Sequence, residues 1–322
     1  MRDNSSATRP ERTVILPPQA SGIWLGLAGV AAFSFTVPFT KVAVASLSPL
    51  FIGSGRAVVA AILAGLALAL TRQRLPHGMQ WARLAVVAAG VVIGFPLLTS
   101  FALTSTPASH GAVVIALLPA ATATAAVIRG RERAPRTFWL VTGLGACAAI
   151  VFASLSSGGF GQLNWTDLLL LGSVAAAAIG YAEGGMLARE LGAWQTVSWA
   201  LVLASPLMVL LTAVSIAQQP PSAGLVQWMA FAYLGVISMF LGFFAWYRGL
   251  AIGPIASVSQ MQLIQPVLTI CWAGLLLGES LTWPTVFGGV AVIFCAGAAV
   301  RVRLKPAAAP AHPLQTLQPA KD

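Results

Sequence analysis

Charge is the scarcest commodity in this sequence. Of 322 residues, only 8% are Asp, Glu, Lys or Arg, against about 25% in soluble proteins. So few charges cannot cover a water-facing surface, which excludes a soluble globular domain. Cysteine is nearly absent too. Cys147, Cys271 and Cys295 each lie in an apolar run, at spacings that suit neither a metal site nor a disulfide framework, and they read as small apolar filler. HExxH, GxSxG, paired intramembrane aspartates and a Gly-rich nucleotide loop are all missing. An enzyme would have no recognisable residues for its chemistry, and no cofactor or metal is expected.

What is present is apolar length. Hydrophobic residues make up 58% of the chain and come in runs of about 20, enough to cross roughly 30 Å of hydrocarbon as a helix. Spans are expected near 22–43, 49–70, 82–103, 107–128, 137–155, 167–188, 194–216, 226–247, 254–277 and 283–301. Pro49, Pro107, Pro254 and Pro284 mark helix starts, where a missing N–H does no harm. Residues 1–20 and 304–322 are rich in Pro, Ala, Gln and charge and read as disordered tails. The first apolar run is full length and follows a polar tail, so no cleavable signal peptide is expected.

The net charge of +10 would suit nucleic acid, but the basic residues gather at helix ends. With the N-terminus inside, all 18 Lys and Arg except Lys41 and Arg56 fall on the cytoplasmic side, as the positive-inside rule requires. The expectation is an all-α polytopic protein with ten transmembrane helices in the cell inner membrane, both termini cytoplasmic. Its partners would be the lipid bilayer and a small-molecule substrate, with protons as a candidate coupling ion and no nucleic acid.

The chain also carries a repeat. A shift of 147 residues takes Pro107 to Pro254, Pro119 to Pro266 and Glu132 to Glu279 without a gap. Two five-span halves follow, 21–156 and 157–303. Five is odd, so the second half enters the membrane inverted. The loops agree, because Arg129, Arg131, Arg133 and Arg136 flank Glu132 while no Lys or Arg stands near Glu279. Inverted repeats are the plan of transporters that bind solute near the midplane, between the halves.

Two stretches resemble a known family. FSFTVPFTKVAVASLSPLFIGSGRAVVAAILAGL, with Lys41, Pro49 and Arg56, is similar to the first two helices of EamA-type proteins of the drug/metabolite transporter superfamily. AWYRGLAIGPIASVSQMQLIQPVLTICWAGLLLGESLTWPTVFGGVAVIFCAG is similar to the end of the second EamA repeat. The resemblance covers roughly 20–303. It implies an exporter or exchanger of amino acids, small metabolites or sugar derivatives, and it places a tryptophan at Trp246 that would wall the cavity. Arg131-Glu132 departs from the Gly-Glu of the pattern, so no role is carried onto Glu132.

Residues for solute contact follow from patterning. On a helical wheel Ser259, Gln262, Gln265 and Thr269 share one face, a ladder of uncharged donors and acceptors. The counterparts 147 residues earlier are Ala112, Ile115, Leu118 and Thr122, so polar contacts are expected mainly from the second half. Pro38, Pro119 and Pro266 lie inside spans and should kink them towards a cavity; Pro96 and Pro206 read as structural kinks. Ser34 and Thr36, with Phe33, Phe35 and Phe39, are candidate lining in the first span, while Tyr247 suits an interfacial belt. His110 is a candidate polar or proton-relay residue. Lys41 and Arg56 should lie at the outer rim, as a basic mouth for an anion, as headgroup-seeking side chains, or as partners of Asp167. Glu183, next but one to Tyr181, is the only acid well inside a span. Three roles are open for it: ligand for a substrate ammonium, proton carrier, or clamp to Arg189 or Arg248. Gly180, Gly184 and Gly185 beside it permit close helix approach.

Overall fold

Proline, and the backbone hydrogen bond each proline removes, decides where several of these helices break. The structure is a computed structural model and describes residues 18–129, 135–156, 164–252 and 261–304. Residues 1–17 and 305–322 of the expected tails, Glu132, Pro254 and Ser259 lie outside the described residues, while 18–20 and 304 are helical rather than tail. Helix α1 (Pro18–Ser34) gives way at Phe35 to α2 (Thr36–Val44). Pro38 has no N–H to donate to the Ser34 carbonyl, and a distant helix supplies one instead. The Thr269 hydroxyl lies 2.9 Å from the Ser34 carbonyl oxygen, and the Trp272 indole N–H reaches Ser34 Oγ at 3.0 Å.

Helix α3 (Pro49–Leu70) starts as its sequence predicts. Pro49 stands in the first turn and Ser48 caps it, its hydroxyl accepting from the Phe51 N–H at 3.1 Å. Helix α4 (Met79–Val87), a π-helical stretch at Ala88–Gly94 and α5 (Phe95–Ala102) form one continuous path. The wider π winding ends just before Pro96, where an ordinary turn would lack its donor. Helix α6 (Ala108–Ile115) is parted from α7 (Leu118–Arg129) by a turn just before Pro119.

Helix α8 (Arg136–Ser156) is followed by α9 (Trp165–Leu191), whose start is fixed by a capping box of Asn164 and Asp167. Helix α10 (Ala193–Gln218) runs unbroken through Pro206. Helix α11 (Leu225–Ala232), a second π stretch at Tyr233–Leu241 and α12 (Gly242–Ile252) follow. A turn at 262–263 precedes α13 (Ile264–Leu277), and α14 (Trp283–Leu304) completes the described chain.

The protein is all-α. Among the described residues seven helical paths are long and apolar enough to cross a membrane, with shorter apolar helices at Ile264–Leu277 and Trp283–Ala298. Apolar side chains such as Leu66, Leu210 and Phe294 point outward, as lipid-facing residues do. The irregularities repeat as the sequence does. Moved by 147 residues, the first π stretch falls inside the second, and the turn before Pro119 falls within one residue of the turn before Pro266.

Helix α9 is the hub, touching α4, α5, α6, α7, α10 and α12. Around it α3 packs on α10, α1 on α12, and α8 on α14. The approach of α9 to the first π stretch is backbone to backbone. A Cβ on Gly90 would stand 2.3 Å from the Ala176 carbonyl oxygen and 3.0 Å from the Gly180 Cα. Gly180 is buried at this contact and Gly184 is buried against the Tyr247 and Val87 side chains, whereas Gly185 faces open space.

Candidate functional site

The breaks in α1–α2, α6–α7 and α13 surround two small connected spaces in the middle of the bundle. The first, of about 30 Å³, is lined by Thr36, Arg56, Leu118, Tyr181, Ser238 and Gln265 among others, and walled by Phe33 and Phe243. The second, of about 10 Å³, shares Val37, Leu118 and Gln265 with the first and adds Gln262, Pro266 and Thr269. Both halves contribute to each space. The larger has room for water molecules but not for a metabolite.

Residues related by the 147-residue shift face one another here. Ile115 and Gln262, Leu118 and Gln265, and Pro119 and Pro266 all line the second space. One wall is therefore apolar and its counterpart polar. Gln262, Gln265 and Thr269 line this space together, Gln262 from the turn before α13 rather than from the helix, while Ser259 lies outside the described residues. Thr36 Oγ1 and Ser238 Oγ are paired at 2.8 Å; Ser238 is a lining residue the sequence reading missed. Its signal is the alignment of 238 with 91, since Val91 lines the same space.

Arg56 is the main correction. It is not at an outer rim. It is 2% exposed and lines the central space. The reason is its place seven residues, about 10 Å, inside α3, on the buried face that also carries Ile52, Ala57 and Ala60. Its Nε has no hydrogen-bond partner among the described residues. Lys41 does stand near one end of the bundle, donating to the Leu103 carbonyl at 2.9 Å. Neither pairs with Asp167, whose Oδ1 meets His110 Nε2 at 2.7 Å.

Two sets of contacts join one half to the other. At one end Glu279, beyond α13, accepts from the backbone N–H of Ala108 at 2.6 Å and of Ser109 at 2.8 Å. A carboxylate thus sits on the positive end of α6. At the other end Glu183 is 3% exposed and held by two arginines, Arg83 through Oε1 and Arg129 at 2.7 Å through Oε2. Arg83 also pairs with Glu190. The clamp partners expected from the sequence, Arg189 and Arg248, are not the ones used. Helix α9 turns Glu183 towards α4 and α7, and the arginines there reach it.

Other expected lining residues lie elsewhere. Trp246 packs its backbone on α1, where a Cβ on Gly29 would lie 3.0 Å from it, and is absent from the cavity wall. Tyr247 is buried rather than interfacial, its hydroxyl close against Gly184. Phe35 stacks on Trp272, and Phe39 meets Tyr233 edge-on; of the three phenylalanines in the first span only Phe33 reaches the cavity. Ser34 is engaged with Trp272, behind the wall. His110 opens instead onto a polar recess of about 460 Å³ with Thr106, Asn164 and Asp167. A separate groove of about 830 Å³, mostly apolar, runs along α4, α7 and α9 to Arg83, Arg129 and Glu183.

Comparison with known proteins agrees with this architecture. The EamA-like transporter family matches residues 20–154 and again 164–300. A Bacillus subtilis (strain 168) protein, described as the uncharacterized transporter YdeK, is 43% identical over 279 residues, covering 86% of this chain and 96% of that protein. A solved crystal structure superposes with a TM-score of 0.60 at 17% identity, over 88% of this chain and 98% of the other, a likeness of fold alone.

Proposed function

The chain belongs to the EamA-like transporter family, and from that premise we propose that this multi-pass membrane transporter exports amino acids or similar small polar metabolites by alternating access. The unit would be ten helices in two inverted repeats, 21–156 and 157–303, in the inner membrane with both termini cytoplasmic. The observation that carries the reading is the central space of about 30 Å³, built from both halves, in a bundle whose halves are also joined by contacts at Glu279 and at Glu183; we read these two contacts as the closures on either side of it. A space that admits only water must open to admit a solute. Breaking one end contact while keeping the other opens it to one side at a time. Arg56, being buried, drops out of the topological charge count, which leaves Lys41 as the single basic residue on the outer side and strengthens the inward bias.

Glu183 fits best as the inner closing ion pair, since both its oxygens are engaged by arginine. Gln262, Gln265, Thr36, Ser238 and Tyr181 would contact solute. Counterflow in proteoliposomes preloaded with each amino acid tests this reading. Accumulation of the labelled compound is expected from wild type, and Glu183→Gln should slow it. Silence across the amino acids would end the amino-acid reading.

The groove of about 830 Å³ along α4, α7 and α9 favours a second reading, efflux of amphipathic compounds entering sideways from the bilayer. Export of a lipophilic cationic dye that Ile179→Arg in the groove abolishes, with no amino-acid counterflow, would replace the first reading with this one.

A further inference from the structure

The central cavity holds one formal charge and, among the described residues, nothing to balance it. Arg56 is 2% exposed and faces the space with Thr36, Tyr181, Ser238 and Gln265, all neutral. No carboxylate among the described residues lies within ion-pair distance of it. The four acids there are engaged elsewhere: Glu183 and Glu190 by Arg83 and Arg129, Asp167 by His110, and Glu279 by the start of α6. A guanidinium removed from water without a partner costs several kcal/mol, and a structural arginine would normally be paired. Its Nε, without a partner among the described residues, is one arm of the fork that grips a carboxylate through two parallel bonds.

We propose that Arg56 is the anion-binding residue of the transport site, so that the transported solute bears a single carboxylate held by this guanidinium. The proposal rests on the transporter reading above and sharpens its cargo. The rest of the solute would lie against Phe33 and Phe243, whose rings pack at 4.9 Å between centroids. The same lining rejects other charge types. A solute with only an ammonium would bring a second cation beside Arg56. A dicarboxylate would leave one charge unmatched, because Lys41 is directed to the Leu103 carbonyl and lies within electrostatic reach of Glu279. An amino acid fits, with its carboxylate on Arg56 and its ammonium on the ring faces and hydroxyls. So does a monocarboxylate without the amine.

The experiment uses full-length protein in proteoliposomes and sets each amino acid against its carboxamide and its decarboxylated amine as competitors in counterflow, with a lipophilic dye and a neutral sugar as further cargo. The carboxylates should compete while the matched amides and amines do not. Arg56→Gln should weaken competition roughly 10- to 100-fold, the range for losing a charged hydrogen-bond partner. Arg56→Lys keeps the charge but not the fork, and should fall between. It also serves as the readout if Arg56→Gln does not fold, with folding checked by thermal unfolding and gel filtration. Equal competition by acid, amide and amine, or unchanged competition in a folded Arg56→Gln, overturns the proposal. Transport of the dye or the sugar with no carboxylate overturns it and leaves the transporter reading standing. Silence towards every compound overturns both.

Discussion

The two ends of this bundle are shut by different physics. At the Glu183 end the halves are tied by side chains: a buried carboxylate between Arg83, 18% exposed, and Arg129, 56% exposed. At the Glu279 end they are tied by a carboxylate on the backbone N–H groups that begin α6. The first contact depends on three long side chains converging and is strong only where water is kept out. The second uses donors that every helix start leaves unmet, so it needs one acid in the right loop. If the molecule works by alternating access as proposed, the Glu183 contact would be the deep closure and the Glu279 contact the shallow one.

The deep closure should break with the largest effect. Glu183→Leu leaves Arg83 with only the half-exposed Glu190 as its partner, and losing one member of a buried pair costs about 3–5 kcal/mol. Arg129 can turn to water, which lowers the expectation to about 2–3 kcal/mol. The detergent-solubilised protein should melt at a clearly lower temperature than wild type, and an unchanged melting curve would show that the pair carries no net stability. Arg83→Met on the same background should add little, because the pair it then loses is the one with Glu190, which is 46% exposed.

The shallow closure should respond more weakly and more locally. Glu279→Gln keeps one carbonyl oxygen for one of the two N–H groups and removes the charge that favours the helix start, a loss of about 1 kcal/mol or less. Global stability should barely move. The change belongs in accessibility. With the native cysteines replaced, maleimide should label Thr106→Cys, near the Glu279 end, several times faster in the variant. Ala182→Cys, beside Glu183, should label at the wild-type rate. Equal acceleration at both positions would mean the two closures are one mechanical unit.

The sequence foretold much of the frame, for reasons that individual residues make plain. Helix α3 follows from Ser48-Pro49, a cap and a first-turn proline that act through neighbouring backbone alone. The breaks before Pro119 and Pro266 follow from a missing N–H, equally local. Helical periodicity puts Gln265 and Thr269 on one face of α13, while Gln262 reaches the same space from the turn before that helix. What stayed hidden depends on rotation and on distant partners. Arg56 reads as a rim residue because it stands near the start of a span, whereas in the fold it faces Val91, Phe95, Tyr181 and Ser238 from distant parts of the chain. Of the three roles open for Glu183, the clamp points to Arg189 or Arg248, whereas its partner Arg83 lies 100 residues away. The π stretches left no mark in composition; the second lacks even a proline.

The smallest effect discriminates within the deep closure itself. Glu183 has two arginine partners, and exposure should decide what each is worth. Arg129 is more than half in water, where side-chain entropy and screening reduce an ion pair to roughly 0.2–1 kcal/mol. Arg83 is mostly buried, and its pair should couple more strongly. Double-mutant cycles of Glu183→Gln with Arg129→Met and with Arg83→Met, read as thermal stability at low and high salt, separate the two. The Arg129 coupling should be the smaller and should shrink in salt, while the Arg83 coupling persists. If instead the Arg129 term is the larger and indifferent to salt, its guanidinium is shielded from water in the membrane-embedded protein. The groove along α4, α7 and α9 would then be filled by lipid at the level of Glu183, and both ends of the bundle would be closed by buried contacts.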